Sequence, residues 1–266
     1  MRLKLGRVLG IDIFLHWTFF LAPAYLVYAW RSQGLPWSMV AVMLGLLFAV
    51  FTCVLIHEYG HALMARRFGV QTKDIIITPI GGLARLTRMP RRPLEELMIT
   101  IAGPLVNLVI ATMLGVFLLA TGGNFIPSAG YAGLTEFPTM MMWMNLFLFL
   151  FNLIPAFPMD GGRILRSSLA FFIPHREATL VAGILGQVCA VSFGIFGLWA
   201  NQYSLVLIGV FVFFAARYEM AMSKQNAMYE QYRAELLEQT GVTEAMIEQA
   251  ELGGAKWTRA SFQDPV

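Results

Sequence analysis

Between Trp37 and Ile56 the chain carries twenty consecutive residues without a charge. At 1.5 Å per residue, a helix of that length crosses the hydrocarbon core of a bilayer, about 30 Å thick. The run continues without a break into His57-Glu58-Tyr59-Gly60-His61. Ionisable side chains at the end of a membrane helix are costly, so they point to a functional site. His57 and His61 are four residues apart, so on a helix both imidazoles share one face, one turn apart. Two nitrogens so placed can reach one zinc ion at about 2.0–2.1 Å. Glu58, between them, can serve as general base toward a metal-bound water.

The rest of the chain agrees with a membrane setting. Of its 266 residues 58% are hydrophobic and 13% charged, and the mean hydropathy is +0.65. That composition excludes an ordinary soluble domain and implies a polytopic protein in contact with lipid. The net charge is +3, and no long basic run is interleaved with aromatic residues. Nucleic acid is therefore not an expected partner. Cys53 and Cys189 both lie in apolar runs, which argues against a structural disulfide. The first apolar run is followed by no small-residue cleavage site, so no cleavable signal peptide is expected.

Read in order, the sequence predicts six membrane helices. The first covers about Ile11 to Trp30, with Asp12 as a helix-start residue and His16 one turn inside. The second ends in the histidine stretch. Val70 to Met89 differs in kind: Ile75-Ile76-Ile77-Thr78 is rich in β-branched residues, Pro79 and Gly81-Gly82 interrupt it, and Leu83 to Thr87 resumes with alternation. This predicts a small hairpin or strand pair after helix two, with an open edge able to pair with an extended substrate, or else a plain connecting loop. The third span, about Leu94 to Ala120, contains Ala102-Gly103-Pro104-Leu105-Val106-Asn107. Its proline bends the helix, its small residues allow close helix approach, and Asn107 can hydrogen-bond to a neighbour. The fourth, about Thr139 to Leu153, runs into Asn152-Leu153-Ile154-Pro155-Ala156-Phe157-Pro158-Met159-Asp160-Gly161-Gly162-Arg163. Irregular backbone at membrane depth must be buried in protein or line a wet cavity. Asp160 is then a carboxylate on a broken helix and a candidate third zinc ligand. Leu165 to Ile173 reads as a short connector, and spans five and six cover about Ala178 to Ala200 and Ser204 to Ala221. Residues 1–222 form the membrane core, and residues 223–266 a polar cytoplasmic tail, helical over Lys224–Gln239 and Thr243–Glu251 with a break at Gly241.

Charge placement orients the spans. Lys and Arg flank the membrane at the N-terminus, after span two (Arg66, Arg67, Lys73, Arg85), after span four (Arg163, Arg166, Arg176) and after span six (Arg217, Lys224), whereas the opposite loops hold only Arg31. The positive-inside rule then places both termini in the cytoplasm. Spans two and four both descend toward that side, which brings His57, His61 and Asp160 to one depth.

These residues resemble the site-2 protease family of intramembrane zinc metalloproteases, peptidase family M50. The resemblance covers the first five spans in order: the histidine stretch, Gly81-Gly82, Ala102-Gly103-Pro104 with Asn107, and Asn152 through Asp160-Gly161. The two metal motifs are about a hundred residues apart. The opening Gly10-Ile11-Asp12-Ile13 with Leu15-His16-Trp17 is similar to the branch with six spans. The resemblance implies one zinc ion per chain held by His57, His61 and Asp160, with Glu58 as catalytic base. Asn152 is expected near the substrate or its oxyanion, and Gly81, Gly82 and Asn107 among the substrate-binding residues. It implies a single-span membrane protein as substrate, cut within its span to release a cytoplasmic fragment. The expected location is the inner membrane of a prokaryotic cell, with a regulatory membrane protein or a second copy of the chain as further partners. The chain departs from some relatives in having no room for a PDZ domain and no tandem regulatory domain after span six.

Two other classes fit the composition: a metal-ion transporter and a non-catalytic membrane scaffold. A transporter needs polar groups along a whole path, and here they gather at one depth. A scaffold has no use for Glu58.

Overall fold

The chain begins with a hairpin. In the computed structural model, which describes residues 2–79, 81–87, 92–127 and 136–240, β1 (Arg2–Val8) and β2 (Ile11–His16) pair antiparallel around Leu9-Gly10. Both loop residues have positive φ, 51° and 84°. That is the backbone of a two-residue hairpin turn whose twist matches the strands, and glycine supplies its second position without strain. The turn is tied to the next layer: the Tyr59 hydroxyl donates to the Val8 carbonyl at 3.0 Å and Arg66 Nη2 to the Leu9 carbonyl at 2.6 Å.

After a 3-10 turn at Trp17–Phe20 come the short α1 (Leu21–Ser32) and the long α2 (Trp37–Arg67). The chain then returns to the sheet. β3 (Thr72–Thr78) lies parallel to β2, and β4 (Gly81–Leu86) pairs antiparallel with β3, giving a four-stranded sheet in the order β1-β2-β3-β4. Alternate residues Ile11, Ile13 and Leu15 of β2 join Ile75 and Ile77 against Tyr59 and Ala62 of α2. The sheet is thus fastened to the histidine-bearing end of α2 by a buried apolar layer. Asp74 accepts from Arg85 Nε at 2.6 Å, a cross-strand tie between β3 and β4.

The remaining elements are helices: α3 (Pro93–Thr121), α4 (Phe137–Asn152), α5 (Asp160–Leu169), α6 (His175–Trp199) and α7 (Tyr203–Thr240). α3 packs between α2 and α4, and α6 pairs with α7. α2 and α3 approach backbone to backbone, since a Cβ on Gly60 would stand 2.7 Å from the Ala102 carbonyl oxygen. α3 ends at Gly122, whose φ of 67° is the left-handed conformation that closes a helix. Among the described residues four helices are long and apolar enough to cross a membrane: α2, α3, α6 and the Tyr203–Gln225 part of α7. The chain is an integral membrane protein, mostly helical, with a small sheet.

Three expectations are refined or corrected. The expected all-α membrane fold with a small hairpin or sheet after the second helix holds as a mostly helical chain with a small sheet, but among the described residues that sheet has four strands and two of them precede every helix. The segment Ile11 to Trp30 is not one helix: Ile11–His16 is a strand, and α1 has only 12 residues, about 18 Å. The β-branched, alternating Ile11-Asp12-Ile13 finds partners on both sides in β1 and β3, and those ladders outweigh a helical continuation. Asp12 is accordingly no helix start; it pairs across the hairpin with Lys4 at 2.9 Å, and His16 ends the strand. Finally, the helix expected over Lys224–Gln239 is present, but it continues the sixth expected span without a break, since α7 runs from Tyr203 to Thr240. Gly241 and Thr243–Glu251 lie outside the described residues.

Candidate metal centre

Three side chains converge where α2, α3 and α5 meet. His57 Nε2 and His61 Nε2 are 3.0 Å apart, and Asp160 Oδ2 lies 3.1 Å from the first and 3.2 Å from the second. His57 and Asp160 are buried and His61 nearly so. Among the described residues this is the one group of three or more His, Cys, Asp or Glu side chains close enough to share a metal ion.

The protonation pattern suits a cation. His61 Nδ1 stands 2.8 Å from the Ile99 carbonyl, which can only accept, so Nδ1 carries the hydrogen and Nε2 offers a lone pair. His57 Nδ1 contacts Asn107 Oδ1 at 2.6 Å, leaving its Nε2 toward the same point. Asp160 Oδ2 is buried without a hydrogen bond despite its two imidazole neighbours. Three acceptors facing one another at van der Waals range are stable only around a positive charge. Two imidazoles and a carboxylate are a zinc donor set, and tetrahedral ligands at 2.0–2.1 Å stand about 3.3 Å apart, close to the spacing seen.

Each ligand is placed by local sequence. The i, i+4 spacing puts both imidazoles on one side of α2. α3 passes so close that a Cβ on Gly103 would lie 2.2 Å from His61 Nε2 and 2.8 Å from His57 Nε2, so bare backbone forms that wall. Asp160 is the first residue of α5, where the helix dipole favours a carboxylate. The chain before it folds back over that helix start: a Cβ on Gly161 would strike the Ile154 carbonyl at 2.2 Å, and one on Gly162 the Phe157 nitrogen at 2.7 Å. The two glycines after Asp160 are therefore a packing requirement.

Glu58 stands on the flank of α2 next to the two histidines. Its Oε2 accepts the backbone N–H of Ala84 in β4 at 2.9 Å. Gly82 lies against it, and a Cβ there would meet Glu58 Cγ at 2.5 Å. The strand pair thus lies directly over the candidate base. Gly81 opens β4, where its carbonyl accepts from the Thr78 hydroxyl at 2.9 Å. Asn107 is fully buried beside His57. The Asn152 amide turns back to the Leu148 carbonyl of its own helix at 3.0 Å. His16 bonds the Thr18 hydroxyl at 2.7 Å and stands outside the metal group.

Sequence reasoning passed over a second buried cluster. Arg166 of α5 donates through Nε to Glu96 of α3 at 2.9 Å and through Nη1 to Glu219 of α7 at 2.7 Å, and His175 of α6 lies 3.2 Å from the other Glu96 oxygen. Arg166 is six residues from Asp160 on one short helix, so this cluster fixes the helix that carries the third ligand. Its members are far apart in sequence and lie among other polar residues, Glu96 beside Glu95 and Arg166 near Arg163, so no sequence signal ties them together.

Comparison with known proteins follows the same lines. The chain matches the family model of Peptidase family M50 over residues 45–133 and 126–193, which includes all three converging side chains and Glu58. It is 34% identical over 234 residues to a zinc metalloprotease of Methanocaldococcus jannaschii, covering 87% of this chain and 64% of that one. It is 29% identical over 154 residues to stage IV sporulation protein FB of Bacillus subtilis, covering 54% of this chain and 49% of that one. The chain therefore spans less than two thirds of the length of these relatives. The solved structure of the site-2 protease from Methanocaldococcus jannaschii superposes with a TM-score of 0.61 at 35% identity, covering 83% of this chain and 95% of the other. The fold, the metal-shaped cluster and the matched segments agree, and the chain belongs to peptidase family M50.

Proposed function

We propose that this protein is a zinc-dependent intramembrane endopeptidase that cuts a single-span membrane protein within its span. The observation that carries the reading is the convergence of His57, His61 and Asp160 beside Glu58, inside a bundle of membrane helices. The counterparts named zinc metalloprotease and site-2 protease support it.

One zinc ion held by the three residues would supply a water acidic enough to lose a proton near neutral pH and would polarise the scissile carbonyl. Glu58 takes the proton of the attacking water and passes it to the leaving amine. The β4 edge holds the substrate extended, which matters because a helical segment hides its carbonyls in its own hydrogen bonds. Gly81 and Gly82 let that segment approach, and Asn152 faces the substrate carbonyl once its amide leaves its own helix.

In this reading the 3-10 turn at Trp17–Phe20 together with α1, and α4, complete six spans with the four longer helices. Both termini lie in the cytoplasm, supported by the basic residues that follow the second, fourth and sixth spans. Residues 1–222 are the protease core and 223–266 a cytoplasmic tail. The location is the inner membrane of a prokaryotic cell, and cleavage releases a cytoplasmic fragment. The polar groups stand at one level rather than along a path, which disfavours a transporter.

The test is cleavage of a single-span substrate in vesicles by the wild type and by Glu58→Gln. The variant should keep its zinc and lose at least the 10²–10⁴-fold typical of acid–base catalysis. Undiminished cleavage would remove Glu58 from the mechanism.

A further inference from the structure

We propose that Asn145 is a positioning residue for the metal centre: it orients the Asn107 amide, which in turn holds His57 with Nε2 bare and aimed at the ion. The inference rests on the metal-site reading above and adds a residue that touches none of the three converging side chains itself.

The argument starts from a group with no choice. The Met141 carbonyl can only accept a hydrogen bond, and Asn145 offers it Nδ2 at 2.8 Å. A second contact of that nitrogen, Cys53 Sγ at 3.4 Å, is a weak acceptor and is compatible with the same orientation. Asn145 Oδ1 must then point the other way, toward Asn107. Only the Asn107 nitrogen can satisfy it, and Nδ2 stands there at 2.9 Å. The Asn107 oxygen is left facing His57 Nδ1 at 2.6 Å, so Nδ1 carries the hydrogen. The lone pair is thereby placed on Nε2.

Turning either amide over would reverse the outcome. The Asn107 NH₂ would face Nδ1, the ring would move its hydrogen to Nε2, and that hydrogen would occupy the direction in which the metal binds. Both asparagines are 0% exposed, so water has no access to correct a wrong orientation. α4 thus sets the tautomer of a ligand on α2, through one side chain on α3. His61 needs no such device, because its partner is a backbone carbonyl.

The experiment is zinc competition against a chromophoric chelator, on full-length protein purified in detergent, with thermal unfolding as a fold control. Asn145→Leu keeps volume but removes the orienting contacts, and it should weaken zinc binding by about 10–100-fold, the range for lost outer-shell partners. Asn107→Asp supplies the background in which no amide orientation is needed, because either carboxylate oxygen accepts from Nδ1. Placed in that background, Asn145→Leu should have little further effect. Should Asn145→Leu fold poorly, Asn145→Ala makes the same comparison. Wild-type zinc affinity in the Asn145 variant overturns the proposal, as does an equal loss in both backgrounds, which would mark a packing role. Absence of zinc binding by the wild type would instead overturn the metal-site reading itself.

Discussion

Two buried polar clusters stand less than two helical turns apart along α5, and they are built on opposite principles. Around Arg166 the charges are answered from within the chain: one guanidinium serves Glu96 and Glu219, and His175 covers the second Glu96 oxygen. Around Asp160 three acceptors face each other, and among the described residues no Lys or Arg pairs with them. The first is complete and fixes helices. The second is complete only with a cation from outside. Burial alone does not separate structure from function; whether the donors and acceptors balance does.

The comparison can be broken from either side. The largest effect is expected at Asp160. Asp160→Asn removes the anionic ligand, so zinc content should fall from one per chain to near zero by metal analysis, with cleavage abolished. Its unfolding temperature without metal should be equal to or above that of the metal-free wild type, because an unanswered buried carboxylate is gone. A variant that keeps full zinc would show that Asp160 is not a ligand.

Arg166→Met should behave in the opposite way. It strands two carboxylates, one of them buried, and breaking such a pair costs roughly 3–5 kcal/mol. Denaturation in detergent should register that loss, and the double change with Glu96→Gln should recover part of it. Unaltered stability would mean that the cluster is not a clamp.

A smaller effect is expected at β4. Ala84→Pro removes the one N–H that holds Glu58, whereas Ala84→Gly keeps it. Cleavage should fall more for proline than for glycine, while zinc content stays at the wild-type level in both. Equal cleavage by the two would separate the strand from the base.

What the sequence revealed and what it hid follows from range. His57, Glu58 and His61 are legible because helical spacing alone places them. Asp160 is legible as a carboxylate on a helix broken by two prolines and two glycines, and the structure places it against His57 and His61. The pairing of Ile75–Thr78 with the segment after Gly81 is legible from β-branching and the glycine turn, and the structure places that pair at Thr72–Thr78 and Gly81–Leu86. The N-terminal strands are not: Ile11 to Trp30 is apolar over a helix length, and only partners at Arg2–Val8 and Thr72–Thr78 make its first part a strand. Asn145 carries no motif; a lone amide in the apolar Phe137–Asn152 gains meaning only from Asn107, which lies 38 residues earlier. The continuity of α7 was masked because polarity changes near residue 222 while helix propensity does not.

The close approach of α2 and α3 at Gly60 and Ala102 has a consequence for biogenesis. Where a metal knits an otherwise unfolded chain, ligation and folding are one event. Here the two helices meet through backbone contact next to the histidines, with no ion needed to draw them together. Contact between these two helices therefore does not wait for the ion, and the cradle for the metal exists before the metal enters it.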